Sequence, residues 1–306
     1  MSALFPAHVP DRARETSGAI QNESEISAGV RIEPGKQYGF FTDTTLCIGC
    51  KACEVACKEW NVLPAEEMRL TGNSYDNTSA LGATSWRHVS FIEKISADGG
   101  GPVTEMAPFQ SNWLMLSDVC KHCENAACLE ACPTGALFRT EFDTVVVQQD
   151  ICNGCGYCVP ACPFGVVALD SVDGKAHKCT LCYDRLKGGL EPACAKACPT
   201  NSIQFGELSE LKKRAYERVA DIRDRGVPAA RLYGVDDGPG PTGGIGDLHA
   251  FFLLTDRPEV YNLPAAPSLP STQIARGILA GVATMAAFAL AAALAFSEGR
   301  NRGSET

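Results

Sequence analysis

The chain has 306 residues, a length that suits two or three modest domains. Its 36 acidic residues outnumber 27 basic ones, for a formal net charge of −9, which leaves nucleic-acid binding without an electrostatic basis. Hydrophobic residues are an ordinary 45%, but all 16 cysteines fall into four groups of four, whereas buried structural thiols would scatter.

Residues 1–36 are rich in Ser, Glu, Ala and Gly without a period, which predicts an extended, partly disordered arm. They contain neither a charged stretch followed by an apolar one nor a twin arginine, so no export address is expected there. The first cysteine group follows, Cys47-x2-Cys50-x2-Cys53-x3-Cys57. Residues 64–112 read as a loop-rich insert with a strand at Trp86–Ile95. The second group is Cys120-x2-Cys123-x4-Cys128-x3-Cys132 and the third Cys152-x2-Cys155-x2-Cys158-x3-Cys162. Between them, Ala136–Arg139 and Val145–Gln148 flank Glu141-Phe142-Asp143 and predict a hairpin. The fourth group is Cys179-x2-Cys182-x11-Cys194-x3-Cys198.

Residues 207–225 predict an amphipathic helix with Leu208, Leu211, Ala215, Val219 and Ile222 on one face, stopped by Gly226. Val235–Gly246 is rich in Gly and Pro. A phosphate loop would need a strand–loop–helix frame and a Lys-Ser/Thr pair, so a linker is expected. His249–Leu254 predicts a short strand. After the Pro-rich Pro264–Pro270, the 21 residues Gly277–Ser297 carry no charge and are apolar all round. At 1.5 Å per residue they reach across a hydrocarbon core of about 30 Å, and this favours a membrane span over a buried soluble helix. Arg276 flanks one end and Arg300 and Arg302 the other, which leans toward a C-terminus on the inner side and a body on the outer side.

Each [4Fe–4S] cluster takes four thiolates. Three closely spaced cysteines wrap one cluster, and a fourth three residues on, commonly followed by Pro, ligates the other cluster of a pair. That fourth cysteine is expected at the start of a helix, pointing away. Cys132, Cys162 and Cys198 each precede a proline, whereas Cys57 precedes Lys58. Zinc sites pair two Cys-x2-Cys units across a longer loop, and none of the four groups is built so. Disulfide frameworks belong to small secreted chains. Oxidised clusters with their thiolates would each add about −2 to the charge, and cluster-free protein is expected to fold poorly.

Internal echoes organise the groups. Leu46-Cys47-Ile48-Gly49-Cys50 returns as Ile151-Cys152-Asn153-Gly154-Cys155, and Cys132-Pro133-Thr134 returns as Cys198-Pro199-Thr200. The expected fold is α+β. It has two ferredoxin-like modules of two clusters each, one inserted in the other, plus a single C-terminal transmembrane helix. Module A takes 37–63 and 173–206, and module B takes 113–172, after the 64–112 insert. A helix and linker cover 207–271, the anchor 272–297 and a polar tail 298–306.

The runs Cys47 to Asn61, Tyr75-Asp76-Asn77, Ser85-Trp86, Lys178 to Cys182 and Glu191-Pro192-Ala193-Cys194, with the C-terminal span, resemble the iron–sulfur beta subunit of membrane-bound respiratory formate dehydrogenase. That family lies within the electron-transfer subunits of molybdenum or tungsten bis-pterin oxidoreductases, and the resemblance covers about residues 38–297. The cysteines alone identify only the wider group. The Glu59-Trp60-Asn61 extension, the insert and the anchor narrow it.

The resemblance implies four ligand sets. Cys47, Cys50, Cys53 and Cys198 hold one cluster, and Cys57, Cys179, Cys182 and Cys194 its partner. Cys120, Cys123, Cys128 and Cys162 hold a third, and Cys132, Cys152, Cys155 and Cys158 the fourth. The module logic gives the same cross-pairing. Nitrate reductase beta subunits replace one ligand and carry a three-iron cluster, but all sixteen positions are Cys here, so four [4Fe–4S] cofactors are expected. The resemblance further implies a molybdenum- or tungsten-bearing bis-pterin catalytic alpha subunit as electron donor and a haem-containing cytochrome b gamma subunit as acceptor. Catalysis is not expected in this chain. The cluster body is expected on the periplasmic face of a bacterial inner membrane, exported with a partner. Alternatives are the equivalent subunit of a hydrogenase or of a polysulfide, nitrate or dimethyl sulfoxide reductase, and, from another class, a zinc-bound scaffold.

Several residues beside the ligands tempt a role. Lys51, Lys58, Lys121 and Lys178 would raise a cluster's potential if held close, or simply face solvent. His122 and His177 are expected beside the clusters or in solvent, since a ligand role would leave a cysteine spare. Trp60 and Tyr157 are candidates for a place between clusters, with packing the default for both. Gly49, Gly154 and Gly156 suit either a close approach of backbone to a cluster or a plain turn.

Overall fold

A computed structural model describes residues 31–65, 72, 75–93, 113–235 and 244–302. The expected arm to residue 30, most of the insert, residues 236–243 and the tail at 303–306 lie outside the described residues.

A four-stranded sheet has the order β8-β1-β10-β9, built from Ile203–Glu207 (β8), Tyr38–Asp43 (β1), Ala250–Leu254 (β10) and Arg231–Tyr233 (β9). β1 runs antiparallel to β8, from Tyr38 opposite Glu207 to Thr42 opposite Ile203, and parallel to β10. The strand entering the first cysteine group thus pairs with the strand leaving the fourth. All five β10 side chains are buried, as both faces of this interior strand are covered. Along β1 the pleat sends Tyr38 and Phe40 toward the cysteines, while Phe41 faces the other way, toward the longest soluble helix.

That helix, Leu208–Asp224, is labelled α6 below. It buries the five predicted residues Leu208, Leu211, Ala215, Val219 and Ile222. Gly226, at φ 95°, follows its end. Arg218 on its polar side binds Asp43 at 2.8 Å, and Asp43 accepts the Thr45 N–H at 2.9 Å, which steadies the entry to Cys47. The segment read from sequence as helix and linker supplies the expected His249–Leu254 strand as β10, a second strand, β9, and a covering layer.

Arg87–Glu93 (β2) pairs antiparallel with Trp113–Val119 (β3), so the ladder crosses the sequence boundary at 112/113. The Trp86–Ile95 strand candidate matches β2, with residues 94–95 outside the described part. The predicted hairpin is present as Leu137–Arg139 (β4) against Val145–Val147 (β5), and Ala168–Leu169 (β6) pairs with Ala176–His177 (β7).

The short helices correct one expectation. They are Ala52–Trp60 (α1), Ala127–Glu130 (α2), Cys158–Ala161 (α3), Tyr183–Lys187 (α4) and Ala193–Lys196 (α5). α1, α2, α3 and α5 each carry the third cysteine of a group in their first two residues, and the fourth cysteine comes later, not at the helix start. Where Pro follows the fourth cysteine the helix has four residues. Where Lys58 follows it, α1 runs on to nine. α1 packs on α5, and α2 on α3. Ser271–Arg302 (α7) is one helix, and its Ser271–Ala293 portion is long and apolar enough to cross a membrane, with none of that portion's most apolar stretch buried.

Candidate metal centres

Each cysteine group is built on one backbone device. The residue before the second cysteine is left-handed in all four: Gly49 (φ 66°), His122 (φ 44°), Gly154 (φ 73°) and Leu181 (φ 55°). Such a turn gathers successive N–H groups into a concavity for an anion, a shape iron–sulfur sites use. His122 and Leu181 bear this strain as non-glycines, and both are buried. A Cβ on Gly49 would meet the Phe91 ring at 2.7 Å, and one on Gly154 the Gly174 carbonyl oxygen at 2.3 Å. The close approach these two glycines allow is therefore to protein.

All sixteen cysteines are free thiols. Cys47, Cys50, Cys53 and Cys198 line one cavity, brought together from 145 residues apart by the β1–β8 pairing. Burial, then the charge of Cys194, Cys182 and Cys53 around it, raises the Cys57 thiol. Burial and then Cys57, Cys120, Cys182 and Cys194 raise Cys179 well above the ordinary range. The thiols pressing on Cys123, after burial, are Cys120, Cys162 and Cys128. Cys158 is pushed up to about 11, again by burial first, with Cys132, Cys152 and Cys155 as its charged neighbours. Thiols this crowded ionise together only with a cation among them, and soft thiolates in fours suit iron–sulfur. The donor set thus fits the group.

Sulfur-directed hydrogen bonds complete the sites. Leu181 N–H donates to Cys179 Sγ at 3.3 Å, Ala176 N–H to Cys152 Sγ at 3.5 Å and Asn61 Nδ2 to Cys57 Sγ at 3.6 Å. The repeated Cys-Pro-Thr puts a hydroxyl beside the fourth cysteine of the second and fourth groups, Thr134 at 3.6 Å from Cys132 and Thr200 at 3.8 Å from Cys198. At Cys132 burial works against ionisation. Hydrogen bonds from the backbone of Leu137, Thr134 and Ala136 and from the Thr134 hydroxyl outweigh it and lower the thiol.

Comparison with known proteins then places the molecule. The 4Fe-4S dicluster domain family matches residues 111–208, and a 4Fe-4S binding domain matches residues 44–60. The formate dehydrogenase iron-sulfur subunit of Haemophilus influenzae is 40% identical over 292 residues, covering 91% of this chain and 88% of that protein. This chain therefore belongs to the formate dehydrogenase iron–sulfur subunits. The nitrate-inducible subunit of Escherichia coli is 39% identical over 259 residues, 83% of this chain and 82% of that one. The B subunit of the anaerobic dimethyl sulfoxide reductase of Escherichia coli reaches 37%, but over 180 residues, 58% of this chain and 77% of that one. Like its family, this iron–sulfur subunit is an electron-transfer protein with [4Fe–4S] clusters, and its sixteen cysteines are consistent with four of them.

Around the ligands of this subunit the lysines divide into two kinds. Lys51 and Lys58 are half-buried, the first paired with Glu54 and Asp76 and the second bonded to the Pro64 carbonyl. Lys121 and Lys178 are buried. Lys178 Nζ donates to the Val145 carbonyl and, at 3.0 Å, to that of Cys179, and it lies 3.8 Å from Cys120 Sγ. His122 is buried and held neutral by burial and by the Lys178 charge, with Nδ1 accepting the Val145 N–H at 3.1 Å. His177 bonds Asp173 and stacks on Trp86. Trp60 does pack: its indole donates to Asp184 and lies under the Arg185 guanidinium, 4.2 Å from the ring centre. Tyr157 instead stands 63% exposed. Sequence reasoning missed Ser117, which lines the first cavity, and the buried Arg87 bonded to it, because neither stands in a motif.

Proposed function

We propose that this subunit relays electrons from a separate formate-oxidising catalytic subunit bearing a molybdenum or tungsten bis-pterin, to a haem-bearing cytochrome b subunit and quinone. The four ligand sets are Cys47/Cys50/Cys53/Cys198, Cys57/Cys179/Cys182/Cys194, Cys120/Cys123/Cys128/Cys162 and Cys132/Cys152/Cys155/Cys158. Support comes chiefly from one observation: cysteines of the first and fourth groups line a common cavity. The charged neighbours of Cys57, Cys123 and Cys158 agree with the other three sets. The β1–β8 pairing and the α2–α3 contact favour two modules, the second inserted in the first.

Bound clusters supply one-electron transfer. The chain's own residues hold the thiolates, exclude water and donate hydrogen bonds to sulfur, and no residue has to move a proton. Ser271–Ala293 anchors the subunit in a bacterial inner membrane, with the cluster body on the periplasmic side and α7 ending on the cytoplasmic side.

Purification in detergent with its partners tests the relay. Formate is expected to bleach the broad visible absorption, with about sixteen irons per chain. A colourless, zinc-loaded protein would sink it. Bleaching by another donor but never by formate would move the subunit to the class of the dimethyl sulfoxide reductase subunit. In intact spheroplasts an added protease should cut the cluster body, and its protection would overturn the proposed orientation.

A further inference from the structure

Arg87, on β2, is the largest fully buried side chain among the described residues, and its Nε and Nη2 have no hydrogen-bond partner there. Only Nη1 is engaged, with the Ser117 carbonyl at 3.3 Å and the Ser117 hydroxyl at 3.1 Å. The guanidinium also lies 4.8 Å from the centre of the Phe40 ring. No carboxylate among the described residues pairs with it. A buried guanidinium left so bears a heavy desolvation penalty. Something negative has to offset it.

The thiols do. Burial pushes the Arg87 pKa down, but the charges of Cys194, Cys53, Cys179 and Cys57 outweigh it and raise the pKa. Cys53 belongs to the first proposed ligand set and the other three to the second. The Ser117 hydroxyl, 3.3 Å from Cys53 Sγ, shows the direction of the hydrogen-bond path. Arginine has donors only, so the hydroxyl oxygen accepts from Nη1 and its single hydrogen is free for sulfur. The path Arg87 Nη1 to Ser117 Oγ to Cys53 Sγ is therefore polarised toward the first site. β2 also packs on α1, whose Cys57 belongs to the second proposed set, and Nε and Nη2 are the two buried donors left unengaged there.

We propose that Arg87 is a positioning residue that sets the potentials of the first two clusters together, through the Ser117 hydroxyl at the first and its own free N–H groups at the second. A fixed positive charge and donors to sulfur stabilise the reduced state, so Arg87 raises both potentials above what they would be without it. The inference rests on the ligand sets proposed above. It goes beyond them in assigning one residue to two sites.

Redox titration of the intact complex followed by electron paramagnetic resonance is the test. Arg87→Gln is expected to lower two of the four midpoints, each by at least tenfold in the reduction equilibrium, or about 59 mV for one electron, and to leave the other two in place. Arg87→Lys, which restores charge without the fork, is expected to recover part of both shifts. Ser117→Ala is expected to lower only one midpoint, that of the cluster missing in Cys50→Ala. Four unmoved midpoints in Arg87→Gln, four that shift alike, or a Lys variant no better than Gln would each overturn the proposal. If Arg87→Gln does not accumulate, an unmoved Ser117→Ala overturns it. A wild-type iron content well below sixteen per chain would strike the ligand sets instead, and it is read separately from the potentials.

Discussion

The cross-pairing of cysteines can be tested by counting iron. Cys50 is exposed and Cys198 half-buried, so Ala at either removes little packing and reports on ligation. Each variant, Cys50→Ala or Cys198→Ala, is expected to lose one cluster, about four of about sixteen irons. Since both thiols line the same cavity, the double variant should still lose only about four. Cys182→Ala combined with Cys198→Ala should lose about eight, although those two cysteines belong to one sequence group. The loss is read as the difference in iron and acid-labile sulfide between variant and wild-type complex, in which the partner's haem iron cancels, and electron paramagnetic resonance shows which signal has gone. Grouping by sequence predicts the reverse order. A Cys50/Cys198 double variant lacking about eight irons would refute the pairing, since no shared site could then connect the two.

Further expectations concern acidity, packing and backbone. Burial raises Cys53 and Cys158 to about 11 and Cys128 and Cys182 to about 12, against 9.0 for an ordinary thiol. The cluster-free fold binds these protons more tightly than the unfolded chain does, so their stabilisation is full below pH 9 and is lost as pH rises toward 11–12. Cluster binding needs the thiolates and reverses the sign, so chelator-driven iron loss should accelerate from about pH 8 to about pH 5, and a flat profile would contradict this. Leu211→Ala, at a fully buried position of α6, should cost about 2–5 kcal/mol in denaturant titration while the iron content holds at low denaturant. Lys58→Pro should break α1 at a cost of about 3 kcal/mol and loosen Asn61 from Cys57, visible as a changed signal from one cluster, and an unchanged spectrum would refute the sulfur contact. Gly154→Ala meets a backbone carbonyl oxygen at 2.3 Å and should lose the fourth cluster, whereas Gly156→Ala, with 3.4 Å to the Leu169 side chain, should keep it.

What was legible in the sequence follows from how locally it is encoded. The cysteine spacings are local, and so is the helical period of Leu208, Leu211, Ala215, Val219 and Ile222, the same five side chains that α6 buries. Of the sheet, β10 was legible as the His249–Leu254 strand, but the pairing was not, because β1, β8, β9 and β10 are drawn from Tyr38 to Leu254 and nothing in a short strand names its partner. Lys121 and Lys178 were ambiguous for a related reason. Lysine is usually solvated, and only the three-dimensional neighbours Val145, Cys120 and Cys179 show that Lys178 is held inside. Arg87 and Ser117 lie on facing strands of the β2–β3 ladder, two registers apart, where a charge in a half-buried strand reads as a solvent-facing residue until the ladder is seen to be covered.

The missing proline after Cys57 looks like a lapse in sequence and has a consequence in structure. Proline after Cys132, Cys162 and Cys198 holds those helices to one turn, since the residue before a proline is driven out of the helical region. Lys58 imposes no such limit, and α1 gains the length that carries Trp60 to Asp184 and Arg185 and brings the Asn61 amide back onto Cys57 Sγ. Both contacts join the first cysteine group or its helix to residues that act on the second proposed ligand set: Cys57 is one of its four thiols, and Asp184 and Arg185 lie in the helix that follows Cys182. Within the run that pointed to formate dehydrogenase, Trp60 and Asn61 thus make the contacts that would clasp the two halves of the second proposed ligand set.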